Sequence, residues 1–242
     1  MARATAYLDQ YGGGVLPDFY MRTYDPFVPP AFAAAATTTL GVGTGVALLA
    51  LRDAVHTAKM AASIDRLSGG RFTFGVGFRW NADEFTAHDV DFRRRHRKVR
   101  EQVAAIRTLW TDDVAEFVDF ETSSCWPKPV RQSIPVYFGG SSPFAMHHVA
   151  EWSDAWYPTP PMADPFLDEG VPAFRQLVAA AGRDPEKVPV GVAPASCDAV
   201  GLERYRDNGI AHVNVALVAD TPSAMLAQLD ELHRMRVSVL GR

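Results

Sequence analysis

The sequence predicts an α/β fold built on parallel strands. Three observations predict it. Short apolar, β-branched runs alternate with stretches of helical periodicity. Each of six such runs is followed by a helix or a helix-sized connection, which parallel pairing requires. The alternation also continues to the C-terminus without a break in composition. A single domain over 1–242 follows, because α/β barrels often reach this size as one unit. The pattern fits two architectures, a doubly wound sheet and a (β/α)8 barrel.

The elements justify themselves in order. Ala4–Leu8 is strand-like, Tyr11–Pro30 is a long loop rich in glycine, proline and aromatic residues, and Pro29–Thr37 suits a helix. Leu40–Val46 is apolar and glycine-punctuated, which predicts a strand. Leu51, Ala54, Val55, Ala58, Ala61 and Ala62 then recur at helical spacing up to the terminator Ser68-Gly69-Gly70. Arg71–Phe78 is the next strand. Val99, Val103, Ile106 and Trp110 make one face of a helix over Arg95–Trp110. Thr111–Val130 reads as a connection with room for a short hairpin. Strands follow at Ile134–Gly139, Asp154–Pro158, Val188–Ala193 and Ile210–Leu217. The helices between them are marked by Ser142-Pro143 at a start, by Phe174, Leu177, Val178 and Ala181 before Gly182, and by Val200–Asn208 closed at Gly209. Thr221-Pro222 opens a last helix carrying Met225, Leu229 and Leu232.

Composition excludes several classes. A formal charge of −4 with no basic half argues against a nucleic-acid partner. Cys125 and Cys197 form no CxxC or Cys/His cluster, so neither a zinc site nor a disulfide scaffold is indicated, and a reducing cytoplasm fits. Met1–Gln10 has no leader pattern, and Leu40–Leu51 is too short and too glycine-broken to span a membrane.

Three glycine-bearing turns end predicted strands: Gly41-Val42-Gly43-Thr44-Gly45, Gly75-Val76-Gly77 and Gly139-Gly140-Ser141-Ser142. Ligands of open sheets and of barrels bind at that edge. The third turn suits phosphate, since glycines free the backbone, two hydroxyls can donate, and a helix start follows. A serine-capped strand-to-helix turn would use the same residues. The spacing is not that of a dinucleotide fingerprint: the sixth residue from Gly41 is Val46 and from Gly75 is Trp80. Walker A and G-x-S-x-G motifs are absent too.

Read together and in order, several strings resemble the luciferase-like monooxygenase family. They are Tyr24-Asp25-Pro26-Phe27-Val28, Leu40 to Val46, Asp65-Arg66-Leu67-Ser68-Gly69-Gly70-Arg71, Gly75-Val76-Gly77, Glu84-Phe85, Leu109-Trp110, Trp126-Pro127-Lys128-Pro129 and Ile134 to Ser142. The likeness runs from about Tyr24 to the C-terminus and is greatest to the branch that uses the deazaflavin coenzyme F420. It implies a (β/α)8 barrel, short of its first βα unit, with F420, or alternatively FMN, across the C-terminal mouth of the strands. It implies that Gly43, Thr44, Gly45 and Val46 form a bulge behind the ring, with a cis bond at Gly45–Val46. Gly75, Gly77, Trp80 and Asn81 would line the cofactor, and Gly139, Gly140, Ser141 and Ser142 would hold its phosphate. Asp9 stands where relatives carry an acidic residue near the cofactor. The expected activity is hydride transfer to or from a small organic substrate, with an FMN monooxygenase or a non-catalytic member as alternatives. A homodimer is the expected assembly. No catalytic residue is assigned by the resemblance.

Other chemistry-bearing residues read as structural. Arg93-Arg94-Arg95-His96-Arg97-Lys98 could hold an anionic tail, such as the polyglutamate of the deazaflavin, or nucleic acid, but its flanking Asp83, Glu84, Asp89 and Asp91 give the pattern of a solvated helix start. His56, His147 and His148 suit surface or packing roles, Trp110 suits a core, and Cys125 has no histidine beside it to make a nucleophile.

Overall fold

The computed structural model describes residues 22–78, 81–117, 120–158, 166–193 and 198–241. The chain divides into two compact units, Met1–Val136 and Tyr137–Arg242.

In the first unit, helix α1 (Val28–Ala36) precedes two short strands, β1 (Val42–Gly43) and β2 (Ala47–Leu48). Helix α2 (Ala54–Ser68) and strand β3 (Phe72–Gly77) follow. Helix α3 (Ala82–Ala87), helix α4 (Arg95–Thr111) and an antiparallel hairpin, β4 (Ala115–Phe117) with β5 (Phe120–Ser123), complete the unit. The predicted strand over Leu40–Val46 is thus two strands. Both pair in parallel with β3, Gly43 opposite Thr73 and Ala47 opposite Val76. Four steps on one strand oppose three on the other, so Thr44–Val46 form a bulge that carries one extra residue.

Local chemistry fixes the helix ends. The Asp53 carboxylate accepts the His56 N–H at 2.8 Å and starts α2, so the helix begins after a short 3-10 turn at Leu49–Leu51 and not at Leu51. Gly69 ends it in the left-handed region at φ 71°. The small buried face of α2 (Ala58, Ala61 and Ala62) lets α4 approach, and the Trp110 indole donates to the Ala58 carbonyl at 3.0 Å. Phe72 and Phe74 of β3 stack at 6.5 Å, and Phe74 meets the Trp110 ring edge-on at 6.1 Å. Trp110 is therefore core, as its spacing predicts.

The Asp65–Arg71 string is a polar clasp within this unit. The buried Asp65 carboxylate accepts the Val130 N–H at 2.8 Å, and burial pushes its pKa up. The Arg71 guanidinium donates to the carbonyls of Ala34 and Thr37 at 2.9 Å, of Ser68 at 2.7 Å, and of Leu40. One side chain thereby ties the end of α1, the approach to β1 and the end of α2.

The second unit opens within strand β6 (Val136–Phe138). It continues through helix α5 (Pro143–Trp152), strand β7 (Ala155–Trp156), helix α6 (Val171–Ala180), strand β8 (Val190–Val192), helix α7 (Ala199–Asp207), strand β9 (Ile210–Val213) and helix α8 (Pro222–Leu240). β6, β7, β8 and β9 pair in parallel in that order. Trp156 packs on Phe174 of α6 at 4.5 Å and Phe138 meets Trp152 of α5 edge-on at 5.2 Å, so these residues mark the helix-facing side of the strands. Ser142 and Thr221 cap α5 and α8 through their hydroxyls, as predicted. The last strand stops at Val213, four residues short of the predicted Leu217. No residue of α7, β9 or α8 is fully buried.

Candidate functional site

The glycines of the first unit are explained first by backbone packing. A Cβ on Gly43 would lie 2.7 Å from the Thr73 carbonyl oxygen, and one on Gly77 would lie 2.7 Å from Val46 Cγ2. At Gly75 the approach is closer still, since a Cβ would sit 2.0 Å from the Thr44 carbonyl oxygen. The buried Thr44 hydroxyl meanwhile donates to the Gly75 carbonyl at 2.7 Å. Gly43, Thr44, Gly75 and Gly77 are therefore brought together where β3 runs against the bulge. Gly45 differs, with no atom within 4 Å of its Cβ position. It is the glycine of this turn that presents bare backbone to open space. The Gly45–Val46 peptide bond is cis, as the resemblance implied.

Asn81 lies at the start of α3. Its amide oxygen accepts the Asp83 N–H at 3.2 Å and its amide nitrogen donates to Glu84 at 3.2 Å. This side chain caps a helix, and the helix itself was not anticipated from sequence. Asp9 and Trp80 lie outside the described residues.

In the second unit the Gly139–Ser142 turn leads into α5. Gly140 sits at φ 132°, where L side chains rarely go, and the Trp156 indole holds its carbonyl at 2.9 Å. The Ser142 hydroxyl accepts the Ala145 N–H at 3.2 Å. A ten-residue helix thus begins directly behind a turn of freed backbone, the geometry that suits an anion. His148 packs edge-on against Phe144 at 4.8 Å, which supports its packing role.

Sequence reading missed a cluster on β6, directly after β7, and on β9. Tyr137 and Tyr157 stack at 5.8 Å and 25°, and the Tyr137 hydroxyl lies 3.3 Å from His212 Nε2. Phe138 and Trp156 point to the helices, so the alternation of strand side chains places their neighbours Tyr137 and Tyr157 on the opposite face. Gly191 of β8 makes room for them, because a Cβ there would lie 2.2 Å from the Tyr157 ring. Burial holds the His212 imidazole below its ordinary pKa of 6.5 and pushes the Tyr137 phenol above 10.0. Burial thus favours the neutral form of both groups, and the His212 tautomer decides which of them donates in the hydrogen bond. Tyr157 is pushed up to about 12 by burial and by Tyr137 beside it.

A folded-state pKa above the unfolded one means that the folded chain holds its proton longer. Stability from Tyr157 is therefore complete below pH 10.0 and is lost as pH climbs toward 12. The urea midpoint is expected to fall across that window in the native chain, and Tyr157→Phe is expected to lose this component of the fall. An identical pH profile in both would refute the assignment.

No group of three or more His, Cys, Asp or Glu residues placed to hold a metal occurs among the described residues. Cys125 is buried, and burial raises its thiol pKa, the reverse of what a nucleophile needs. No helix of the described residues is long and apolar enough to cross a membrane.

Both units are built on parallel strands, and the first carries a bulge packed against β3 through glycine. The family profile of the luciferase-like monooxygenases matches residues 4–234, and the chain belongs to that family. A Mycobacterium tuberculosis protein, Rv0953c, is 40% identical over 210 residues, covering 84% of this chain and 73% of its own length. An F420-dependent secondary alcohol dehydrogenase, solved with an F420-acetone adduct, superposes with a TM-score of 0.74 at 17% identity, over 88% of this chain and 84% of that one. A riboflavin lyase solved with modified FMN superposes at 0.62 with 19% identity, over 84% and 51% of the two chains. The fold is that of the luciferase-like (β/α) barrels, short of some βα units, as the resemblance implied.

Proposed function

We propose that the chain is a coenzyme F420-dependent oxidoreductase acting on a small organic substrate. The observation that carries the reading is the open face at Gly45, set on a bulge whose backbone is locked against β3 by Gly43, Gly75 and Gly77. A flat ring can rest on bare backbone only where no side chain intervenes and the backbone does not yield. Thr44 supports the seat by bonding inward, and its hydroxyl is committed to Gly75. In the second unit, Gly139, Gly140, Ser141 and Ser142 offer freed backbone and hydroxyls to a phosphate at the start of α5. Asp9, Trp80 and Asn81 complete the proposed cofactor contacts. When bound, F420 supplies a hydride at its deazaflavin ring, and the protein positions the partners and excludes water. We further propose one barrel domain over 1–242, a cytoplasmic homodimer.

The alternative is a flavin monooxygenase with FMN on the same seat, favoured by the riboflavin lyase among the structural neighbours. Titration of the purified chain with oxidised F420 and with FMN, followed by fluorescence, separates the two. The expected result is saturable F420 binding that falls at least about ten-fold in Gly45→Val, a loss near 1.4 kcal/mol. FMN binding without F420 affinity would replace the first reading by the second, and binding of neither would overturn both.

A further inference from the structure

A polar cavity of about 480 Å³ lies wholly within the first unit, between the start of α2 and the first turns of α4. Arg52, Asp53, Asp89, Asp91, Arg94, Arg97, Lys98, Glu101 and Gln102 supply nearly all of its wall, so both signs of charge face one space. Arg94, which immediately precedes α4, and Lys98 and Gln102 within it are spaced four residues apart, and the last two share one face of the helix with about 6 Å of rise between them. Exposure falls along that line, from exposed Arg94 through half-buried Lys98 to buried Gln102, which is 5% exposed.

Gln102 forms the floor. Its Nε2 donates to the Arg52 carbonyl at 2.6 Å, which fixes the amide, and its Oε1 is buried with no hydrogen-bond partner. A buried acceptor left unmade costs about 1–3 kcal/mol. The natural partner is a donor that enters the cavity. The two cations nearer the rim sit where α4 begins, and a helix start adds its own partial positive charge.

From these observations we infer that the cavity is a binding site for a small phosphorylated polyol. Arg94 and Lys98 take the phosphate, and the Gln102 amide oxygen accepts a hydroxyl at the floor. Asp89 and Glu101 are further acceptors on the same wall. A bare anion would satisfy the rim but leave Gln102 unpaired. A neutral polyol would satisfy Gln102 but bring Arg94 and Lys98 no anion beyond the carboxylates of the same wall. Only a ligand with both groups meets both ends of the stripe.

The test uses the full chain without cofactor, so that its outcome is independent of the redox assignment. Thermal stability is measured against glycerol 3-phosphate, glycerol and inorganic phosphate in the millimolar range. A ligand that binds only the folded chain raises the midpoint in proportion to its occupancy. Glycerol 3-phosphate is expected to stabilise most, with an apparent affinity at least about ten-fold above that of inorganic phosphate. Gln102→Met, which keeps the length of the side chain, is expected to remove that preference while weak phosphate binding persists. Arg94→Gln with Lys98→Gln, both on partly exposed positions, is expected to abolish both. The proposal is overturned if neither anion binds saturably, if phosphate alone binds as well as the ester, or if the double variant binds as the native chain does.

Discussion

Gly75→Ala is expected to yield a chain that fails to fold or is destabilised by at least about 3 kcal/mol. The new methyl group would lie 2.0 Å from the Thr44 carbonyl oxygen and 3.1 Å from its carbon. These are backbone atoms, so no rotamer change relieves the overlap. The bulge must lift away from β3 by more than an ångström. That movement breaks the 2.7 Å bond from the Thr44 hydroxyl to the Gly75 carbonyl and leaves two buried polar groups unmade. Gly45→Ala is the matched control two residues along the bulge from Gly43. Nothing lies within 4 Å of that position, so its effect on unfolding is expected to stay within about 1 kcal/mol. Equal urea midpoints for the two variants would show that the crossing is not held by glycine at all.

Arg71→Ala is the second large effect, expected at about 3–5 kcal/mol in equilibrium urea unfolding. The guanidinium serves four backbone carbonyls, at Ala34, Thr37, Leu40 and Ser68, and the Thr37 hydroxyl at 3.2 Å. Removing it strands acceptors at the ends of two helices at once. Arg71→Lys keeps the charge but offers three hydrogens from one point where the native group offers a planar fork, so it is expected to recover less than half of the loss. Full recovery by lysine would mean that charge, and not the fork, is what matters there.

Much of this architecture was legible because punctuation in the sequence has a direct physical meaning. Gly69 after a run of small apolar residues, and Ser142-Pro143 or Thr221-Pro222 before one, mark helix ends by what their backbones and hydroxyls can do. The bulge and its cis bond were legible only through resemblance, since nothing in the periodicity of Leu40–Val46 announces an extra residue. Helix α3 escaped because six residues with a single buried side chain, Phe85, make no periodic stripe. The signal was Asn81 followed three residues on by Glu84, a capping pair. The Tyr137, Tyr157 and His212 cluster escaped for a different reason. Its members sit on two strands and at the end of a third, up to 75 residues apart in the chain, and only strand pairing makes them neighbours. Gly75–Gly77 and Gly139–Ser142 fall at the ends of strands as expected, whereas Gly45 lies between two, and Gly43, Gly75 and Gly77 answer first to packing against the neighbouring strand, which leaves Gly45 with space beside it.

The segment from α7 through α8 contains no fully buried residue, although Leu226, Leu229 and Leu240 are among its side chains. The denaturant sensitivity of a protein scales with the surface that unfolding newly wets. Those final forty or so positions are already largely wet, so they add little to the slope of a urea curve. The slope consequently reports on the better-buried elements, among them the Phe74 and Trp110 rings of the first unit and, separately, the packing of Trp156 on Phe174 in the second.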